Sequence, residues 1–259
     1  MSLPDAALGE LRSTPHKNIK AMTIACKSFA GGLLPAIFIC TLPLMQAHAD
    51  GMVPRTSVVI VEEARANGSD FVVTNTDPHA ALLAVFIENP SEDTDNLLVV
   101  QPTVARVEAG KEQQVIFHYV GNEPLQTQRL RRVIFEGIRE TAAGDPGAMR
   151  VNFGVRQNLP VILHPKGLAR NSEPWKGLTW RIDGKQLRVE NNTPYVVRLA
   201  QELKLLPGQH ALDLGRTYLL ANQTITLDLP DAAAAANTVR FQPATVYGFA
   251  VEPYEARIL

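Results

Sequence analysis

The side chains able to do chemistry are few and scattered. Beyond residue 50 the histidines are His79, His118, His164 and His210, in loop or strand contexts without the spacing that metal ligation needs. The adjacent carboxylates Glu62-Glu63 and Glu92-Asp93 fall in polar turns, where water is the expected neighbour. No Gly-x-Ser-x-Gly, His-Glu-x-x-His or phosphate-cradling glycine loop is present. Both cysteines, Cys26 and Cys40, precede residue 50, so the remainder holds no thiol nucleophile and no disulfide. The pattern predicts no enzyme, no metal site and no cofactor. What remains is the chemistry of the backbone, whose N–H and C=O groups at a sheet edge are open to another chain.

The stretch 149–163 carries that possibility. Val151, Phe153, Val155, Leu159, Val161 and Leu163 share one parity, broken only by Gln157, while Asn152, Gly154, Arg156 and Asn158 occupy the other. Period two predicts a strand. Pro160 has no amide to give to a central strand, so it points to a sheet edge or a switch point. Soluble proteins usually blunt such edges with charge or cover them, so an apolar one has a use.

The elements that must position this strand are short and β-rich. Segments 57–61, 70–74, 81–88, 97–101, 113–119 and 132–138 are rich in Val, Ile, Phe or Thr and are separated by turn residues such as Asn67-Gly68, Asn89-Pro90 and Ala109-Gly110. With the strand above, seven fall within about 110 residues, the density of a β-sandwich. After His164-Pro165-Lys166-Gly167 a second series begins, at 178–182, 186–190, 195–200, 203–206, 224–229, 239–242 and 247–251. The run of alanines at 232–236 reads as a surface loop or a short helical turn, and Trp175 and Trp180 as core residues. The expectation is an all-β chain with domains at 50–165 and 166–259.

Residues 1–49 stand apart. Lys27 precedes an apolar run at 29–45, and Ala47-His48-Ala49 follows as a cleavage pattern, so a signal peptide and export are expected. Gly31, Gly32, Pro35 and Pro43 interrupt the run, which argues against a membrane anchor and stable membrane insertion. Met22 is an alternative start, leaving residues 1–21 either an extended leader or an upstream start codon's product. With 25 basic and 26 acidic residues in the whole chain, removing the four basic and two acidic residues of 1–49 leaves 21 against 24. That balance, without a basic run, excludes a nucleic-acid partner.

Several passages resemble the periplasmic chaperones that escort pilus subunits in the chaperone–usher pathway. Residues 73–89, with Asn75 ending one strand and Ile87-Glu88-Asn89 another, are similar to that family's second and third strands. Residues 101–110 resemble its Pro-Pro-x6-Gly stretch, with Thr103 in place of the second proline, and Asn191-Asn192-Thr193-Pro194-Tyr195 is similar to its Asn-x-Thr-Pro-Tyr signature. The resemblance implies two immunoglobulin-like β-sandwich domains in tandem, location in the periplasm, and pilus subunits and an outer-membrane usher as partners. It implies that Val151, Phe153 and Val155 are the donor side chains that complete a subunit's sandwich.

The family also holds the subunit's terminal carboxylate with an arginine on the first strand and a lysine on the last. The matching positions here are Ser57 and Pro160, so Arg55 and Arg156 become the candidate anchors. Where the family carries an acidic residue after Arg129 this chain has Leu130, which removes its usual domain-locking ion pair. A structural pilus or adhesin subunit with immunoglobulin-like domains needs an apolar donor extension after the cleavage site, and Asp50-Gly51-Met52-Val53-Pro54 is too short and broken for one. A hydrolase or carbohydrate-binding sandwich would carry a carboxylate cleft or exposed aromatics, and aromatics make up only 6% of the chain.

Overall fold

The computed structural model describes residues 51–139, 155–245 and 251–259. Val151 and Phe153 therefore lie outside the described residues, whereas Val155 lies within them. Regular structure in the described residues is all strand, apart from two short 3-10 turns at Pro174–Gly177 and Asp231–Ala233. The second turn opens the alanine run and buries Ala233.

The first sandwich contains β1 (Met52–Pro54), β2 (Val59–Glu62), β3 (Ser69–Asn75), β4 (Ala81–Glu88), β5 (Leu98–Gln101), β6 (Val104–Val107), β7 (Glu112–Tyr119), β8 (Arg129–Arg139) and β9 (Arg156–His164). One sheet has the order β1-β3-β7-β5 and the other β2-β9-β8-β4-β6. Only β2 and β9 run parallel; the other pairings in this sandwich are antiparallel. Alternate residues of the two inner faces make the core: Phe71 and Val73, Leu83 and Val85, Val115 and Phe117, Val133 and Phe135, Val161 and Leu163. Phe71 stacks on Phe135 across the sandwich at 5.4 Å and meets Phe117 edge-on at 6.1 Å. Burial of each such side chain contributes about 1.5–3 kcal/mol.

The second sandwich contains β10 (Leu178–Asp183), β11 (Gln186–Asn191), β12 (Val197–Leu206), β13 (His210–Asp213), β14 (Tyr218–Leu219), β15 (Thr224–Asp228), β16 (Thr238–Ala244) and β17 (Tyr254–Arg257). Its sheets are β10-β11-β15 and β13-β12-β16-β17, with β14 also paired to β12. Trp175 and Trp180 are buried in its core, and Trp180 packs against Phe241 at 5.6 Å, so neither is a sugar platform. The expected strands 195–200 and 203–206 are one strand, β12, with an irregularity in its pairing to β16 between Leu199 and Leu203. Residues 247–250 of the segment 247–251 lie outside the described residues, and Val251 itself is not in a strand.

Each sandwich is pinned by one fully buried asparagine, and both belong to the sequence passages singled out above. Asn75 donates from its amide to the carbonyls of His79 and Val107, both at 2.9 Å, and accepts from the Asp77 amide at 3.0 Å. Asn191 donates to the carbonyls of Tyr195 and Leu220 at 2.8 Å and accepts from the Thr193 hydroxyl at 2.7 Å. Only a short side chain with two donors and an acceptor closes the turn and ties it to a second loop at once. Replacing Asn191 by Ala strands two carbonyls, each costing about 1–3 kcal/mol when buried. Urea denaturation is expected to show Asn191→Ala destabilised by ~2–4 kcal/mol; a loss under ~0.5 kcal/mol would contradict the pinning role.

Candidate functional site

Strand β9 changes character at Pro160. From Arg156 to Pro160 it pairs with β8 on one side, and among the described residues no strand lies on the other. From Val161 to His164 it gains β2 as a second, parallel neighbour, beginning at the pair Val59 and Val161. Pro160 thus stands where the strand passes from edge to interior, the switch point its missing amide suggests. The odd-parity residues Val161 and Leu163 fill the first core and Leu159 packs against it. Val155, at the free end, is 43% exposed and belongs to no buried cluster.

The other sheet edges carry polar or charged residues or a proline. β1 carries Pro54 and leads into Arg55, β17 carries Glu255 and Arg257, and β13 carries His210 and Asp213. Such residues deter pairing with a foreign strand. In the sequence, residues 151–155 carry no charge, whereas the open stretch of β9 itself carries Arg156, Asn158 and Pro160.

At the end of β8 and β9 nearest the joint, the even parity faces the second sandwich. Leu130 and Ile162 join Val58 and Val196 in a buried cluster bridging the two sandwiches, with Tyr218 and Leu220 packed against it. Leu130 therefore replaces the expected acid with an apolar contact. A neutral network runs alongside. The Gln128 amide donates to the Pro194 carbonyl at 2.8 Å, and Gln128 Oε1 accepts from the Val196 amide at 2.9 Å. Gln128 Nε2 lies 2.9 Å from His164 Nδ1, and His164 Nε2 lies 3.0 Å from the Leu168 carbonyl. Nε2 of Gln128 can only donate, so His164 carries its proton on Nε2. This histidine belongs to the joint between the sandwiches and to no catalytic pair.

An ion pair does cross the joint, from a different place. Glu92, in the loop between β4 and β5, pairs with Arg216 and accepts from the Tyr218 hydroxyl at 3.3 Å. Its neighbour Asp93 anchors that loop from below. Arg129 grips Asp93 with two nitrogens, and the fully buried Arg131 reaches it at 2.8 Å. Burial by itself would raise the Asp93 carboxyl; hydrogen bonds from Arg129 and Arg131 and their charges outweigh it and hold the pKa at about 2, from an ordinary 3.8. The same hydrogen bond, chiefly, raises the pKa of Arg129. The Glu92-Asp93 pair that the sequence placed in a solvated turn is thus a structural clasp.

Beside the apolar bridge lies a cleft of roughly 440 Å³, lined in part by Ser57, Leu130, Arg132, Pro160, Arg198 and Tyr218. Ser57 and Pro160, the two positions where basic anchors were expected, both face this cleft without a charge. Arg55 and Arg156 are not among its lining residues. Arg55 sits at the β1 edge of the first sheet, 3.3 Å from Glu112; Arg156 sits on the second sheet, 3.5 Å from Glu88. The structure does not bring these two together.

Two other arginines meet in the cleft. Arg132 is the cross-strand partner of Pro160, and it donates to Asn158 Oδ1 at 2.5 Å and to the Asn158 carbonyl at 3.0 Å. Arg198, on β12 of the second sandwich, donates to the Thr245 carbonyl at 3.4 Å. Burial lowers the pKa of the Arg198 guanidinium, and the nearby charge of Arg132 lowers it further. Neither is in an ion pair among the described residues. Sequence reasoning missed both, because cross-strand register and the approach of the second sandwich are not written in local pattern.

The described residues form two immunoglobulin-like β-sandwiches in tandem, and comparison with known proteins gives the family. Residues 51–169 match the family model of the pili and flagellar-assembly chaperone PapD N-terminal domain, and residues 173–254 that of the pili assembly chaperone PapD C-terminal domain. An uncharacterized fimbrial chaperone of Escherichia coli strain K12, YhcA, is 38% identical over 219 residues, covering 84% of this chain and 94% of that one. The chaperone HifB of Haemophilus influenzae is 27% identical over 171 residues, covering 62% of this chain and 70% of its own. Among solved structures, that of the Salmonella enterica SafA pilin in complex with the SafB chaperone includes a chain matched with a TM-score of 0.65 at 19% identity, over 82% of this chain and 98% of that one. The Escherichia coli chaperone DraB matches with a TM-score of 0.63 at 19% identity, over 80% and 98%. The chain belongs to the pilus-assembly chaperone family, a family of chaperones and not of enzymes or structural pilus subunits.

The Asp93 clasp generates a pH prediction. A carboxyl with a depressed folded-state pKa contributes its full stability above the unfolded value and loses it as the pH falls through the folded one. The interval from 3.8 to about 2 corresponds to ~2 kcal/mol. Asp93→Asn is expected to be less stable than the native protein at pH 7, with the gap closing by ~2 kcal/mol between pH 5 and pH 2 in urea titrations. A gap that stays constant over that range would remove the clasp from the account.

Proposed function

We propose that this chain acts in the periplasm, binds newly exported pilus subunits by lending them the strand that leads into β9, and passes them to an outer-membrane usher. Chaperone–pilin donor-strand complementation is an established mode of strand addition. The observation carrying the reading is the asymmetry of β9, which is paired on one side only before Pro160 and on both sides after it. Family membership and the SafA–SafB complex among the structural relatives support it.

The residues expected to do the work are Val151, Phe153 and Val155. In an extended strand their alternate spacing would put the three side chains on one face, spanning about 13 Å at the usual rise. A subunit lacking its last strand exposes a row of core pockets and unpaired backbone groups. Three apolar side chains contribute roughly 1.5–3 kcal/mol each before ordering costs are subtracted, and the backbone adds ladder hydrogen bonds. No nucleotide-binding motif stands in the sequence, so release comes by exchange for a better-fitting strand. The helper's own core, built on Val161 and Leu163, is untouched by that exchange.

Co-expression with pilus subunits and purification from the periplasmic fraction tests this. The native chain is expected to retain a subunit. Val151→Ser, Phe153→Ser and Val155→Ser combined are expected to lose it by more than about tenfold, at an unchanged melting temperature, since Val155 belongs to no buried cluster. Full retention by the triple variant would refute the donor assignment.

A further inference from the structure

We propose that His164 makes the joint between the sandwiches acid-sensitive: protonation of its imidazole reverses the side-chain amide of Gln128 and releases the backbone of the second sandwich at Val196. The inference is independent of the strand-addition reading, because it concerns how the two sandwiches are held and not what pairs with β9.

Donors and acceptors around the Gln128 side chain are fully committed. Its oxygen is spent across the joint, accepting from the Val196 amide at 2.9 Å. Its nitrogen, a donor only, lies 2.9 Å from His164 Nδ1, which accepts from it only while that ring nitrogen is bare. On the other side of the ring Nε2 donates to the Leu168 carbonyl at 3.0 Å, so a neutral imidazole satisfies both partners at once. A proton added to the ring has one place to go, Nδ1, and there it meets the amide nitrogen of Gln128, donor against donor. Turning the Gln128 amide over gives the imidazolium an oxygen and leaves the Val196 N–H facing a second donor. Val196 is fully buried, so water does not replace the lost bond. Gln128 thus has two orientations, one for each charge state of His164, and only the first ties the sandwiches together through Val196.

The surroundings let the proton in without neutralising it. A cavity of about 20 Å³ beside the ring, lined in part by Glu62, Arg170 and Asn171, has room for one water. On β2, Glu62 pairs with Arg170 of the connecting segment at 2.7 Å, so the one draws a proton toward the ring and the other opposes it. Glu63 accepts from the amides of Leu125 and Lys166, and the Lys166 side chain is exposed. Next to Gln128, Arg129 is held by Asp93 and Asp95, and the passage from Pro194 to Val196 in the second sandwich carries no charge. Among the described residues both ring nitrogens meet neutral groups, so the imidazolium gains no ion pair of its own. After reversal the Gln128 backbone amide still donates to the Pro194 carbonyl, and the apolar cluster of Val58, Leu130, Ile162 and Val196 remains. Acid therefore loosens the joint without parting the sandwiches. The tied joint binds one proton fewer than the released one, so a falling pH favours release.

Nuclear magnetic resonance of the full chain tests this. At about pH 8 the nitrogen chemical shifts of the His164 ring are expected to report a neutral imidazole with its proton on Nε2, and the Val196 amide is expected to be strongly protected from hydrogen exchange. Toward about pH 5 the ring is expected to take its second proton and the Val196 protection factor to fall by at least about tenfold at the same midpoint, while those of Val115 and Val189 hold. His164→Asn sets an oxygen near the place of Nδ1 and cannot be charged, so its Val196 protection should change by less than about threefold over that range. Gln128→Ala should show the low protection at both ends. A Val196 protection factor in the native protein that does not respond to pH overturns the proposal, as does a proton on Nδ1 at about pH 8 or an equal loss in His164→Asn. Should His164→Asn fail to fold, the native protein decides alone: coincident midpoints for the His164 ring and the Val196 amide uphold the proposal, and separate ones overturn it.

Discussion

A strand with a neighbour on one side only leaves half its backbone donors and acceptors facing outward, and that deficit governs this molecule. On β9 it is left open over Arg156 to Pro160 and closed by β2 directly after. An edge open for one stretch and sealed at a fixed residue has a defined length, a defined end and hence a defined register for whatever pairs with it.

The second sandwich gives that end its surroundings. Leu130 and Ile162 on the outer face of the first sandwich meet Val196 of the second, and Gln128 ties the Pro194 to Val196 backbone to His164. The loop bearing Glu92 is held from below by Asp93 and reaches Arg216 from above. Apolar burial sets the contact, and one ion pair at the rim fixes its azimuth. Arg198 is thereby carried to the cleft beside Arg132. A side chain of each sandwich thus faces the same cleft.

Much of the fold was legible in the sequence because it rests on period-two patterning and turn chemistry. Segment 81–88 is a strand with those same limits, and 70–74, 97–101, 113–119 and 186–190 fall within a residue of theirs. The missed strands, β1, β6, β13, β14 and β17, are two to four residues long, too short for a period-two pattern to show. Pro160 announced the passage from edge to interior because a missing amide is a local fact. The fates of Asp93 and Arg131 were not legible, since a buried charge depends on which partner the loop delivers. The same holds for Arg132 and Arg198: the sequence shows two arginines, and only register and docking show that they face one cleft. Arg55 and Arg156 looked suitable by parity and turned out to be paired with Glu112 and Glu88 on different sheets.

The central claim is that the free half of β9 is where another chain's backbone is received. Amide hydrogen exchange, measured residue by residue on the free protein and on its complex with a pilus subunit, tests it most directly. The account predicts that amides in residues 151–159 gain strong protection on binding while those of β5, β6, β13 and β17 keep their free-state rates. Unchanged exchange along 151–159, with new protection on one of those other edges, would contradict it.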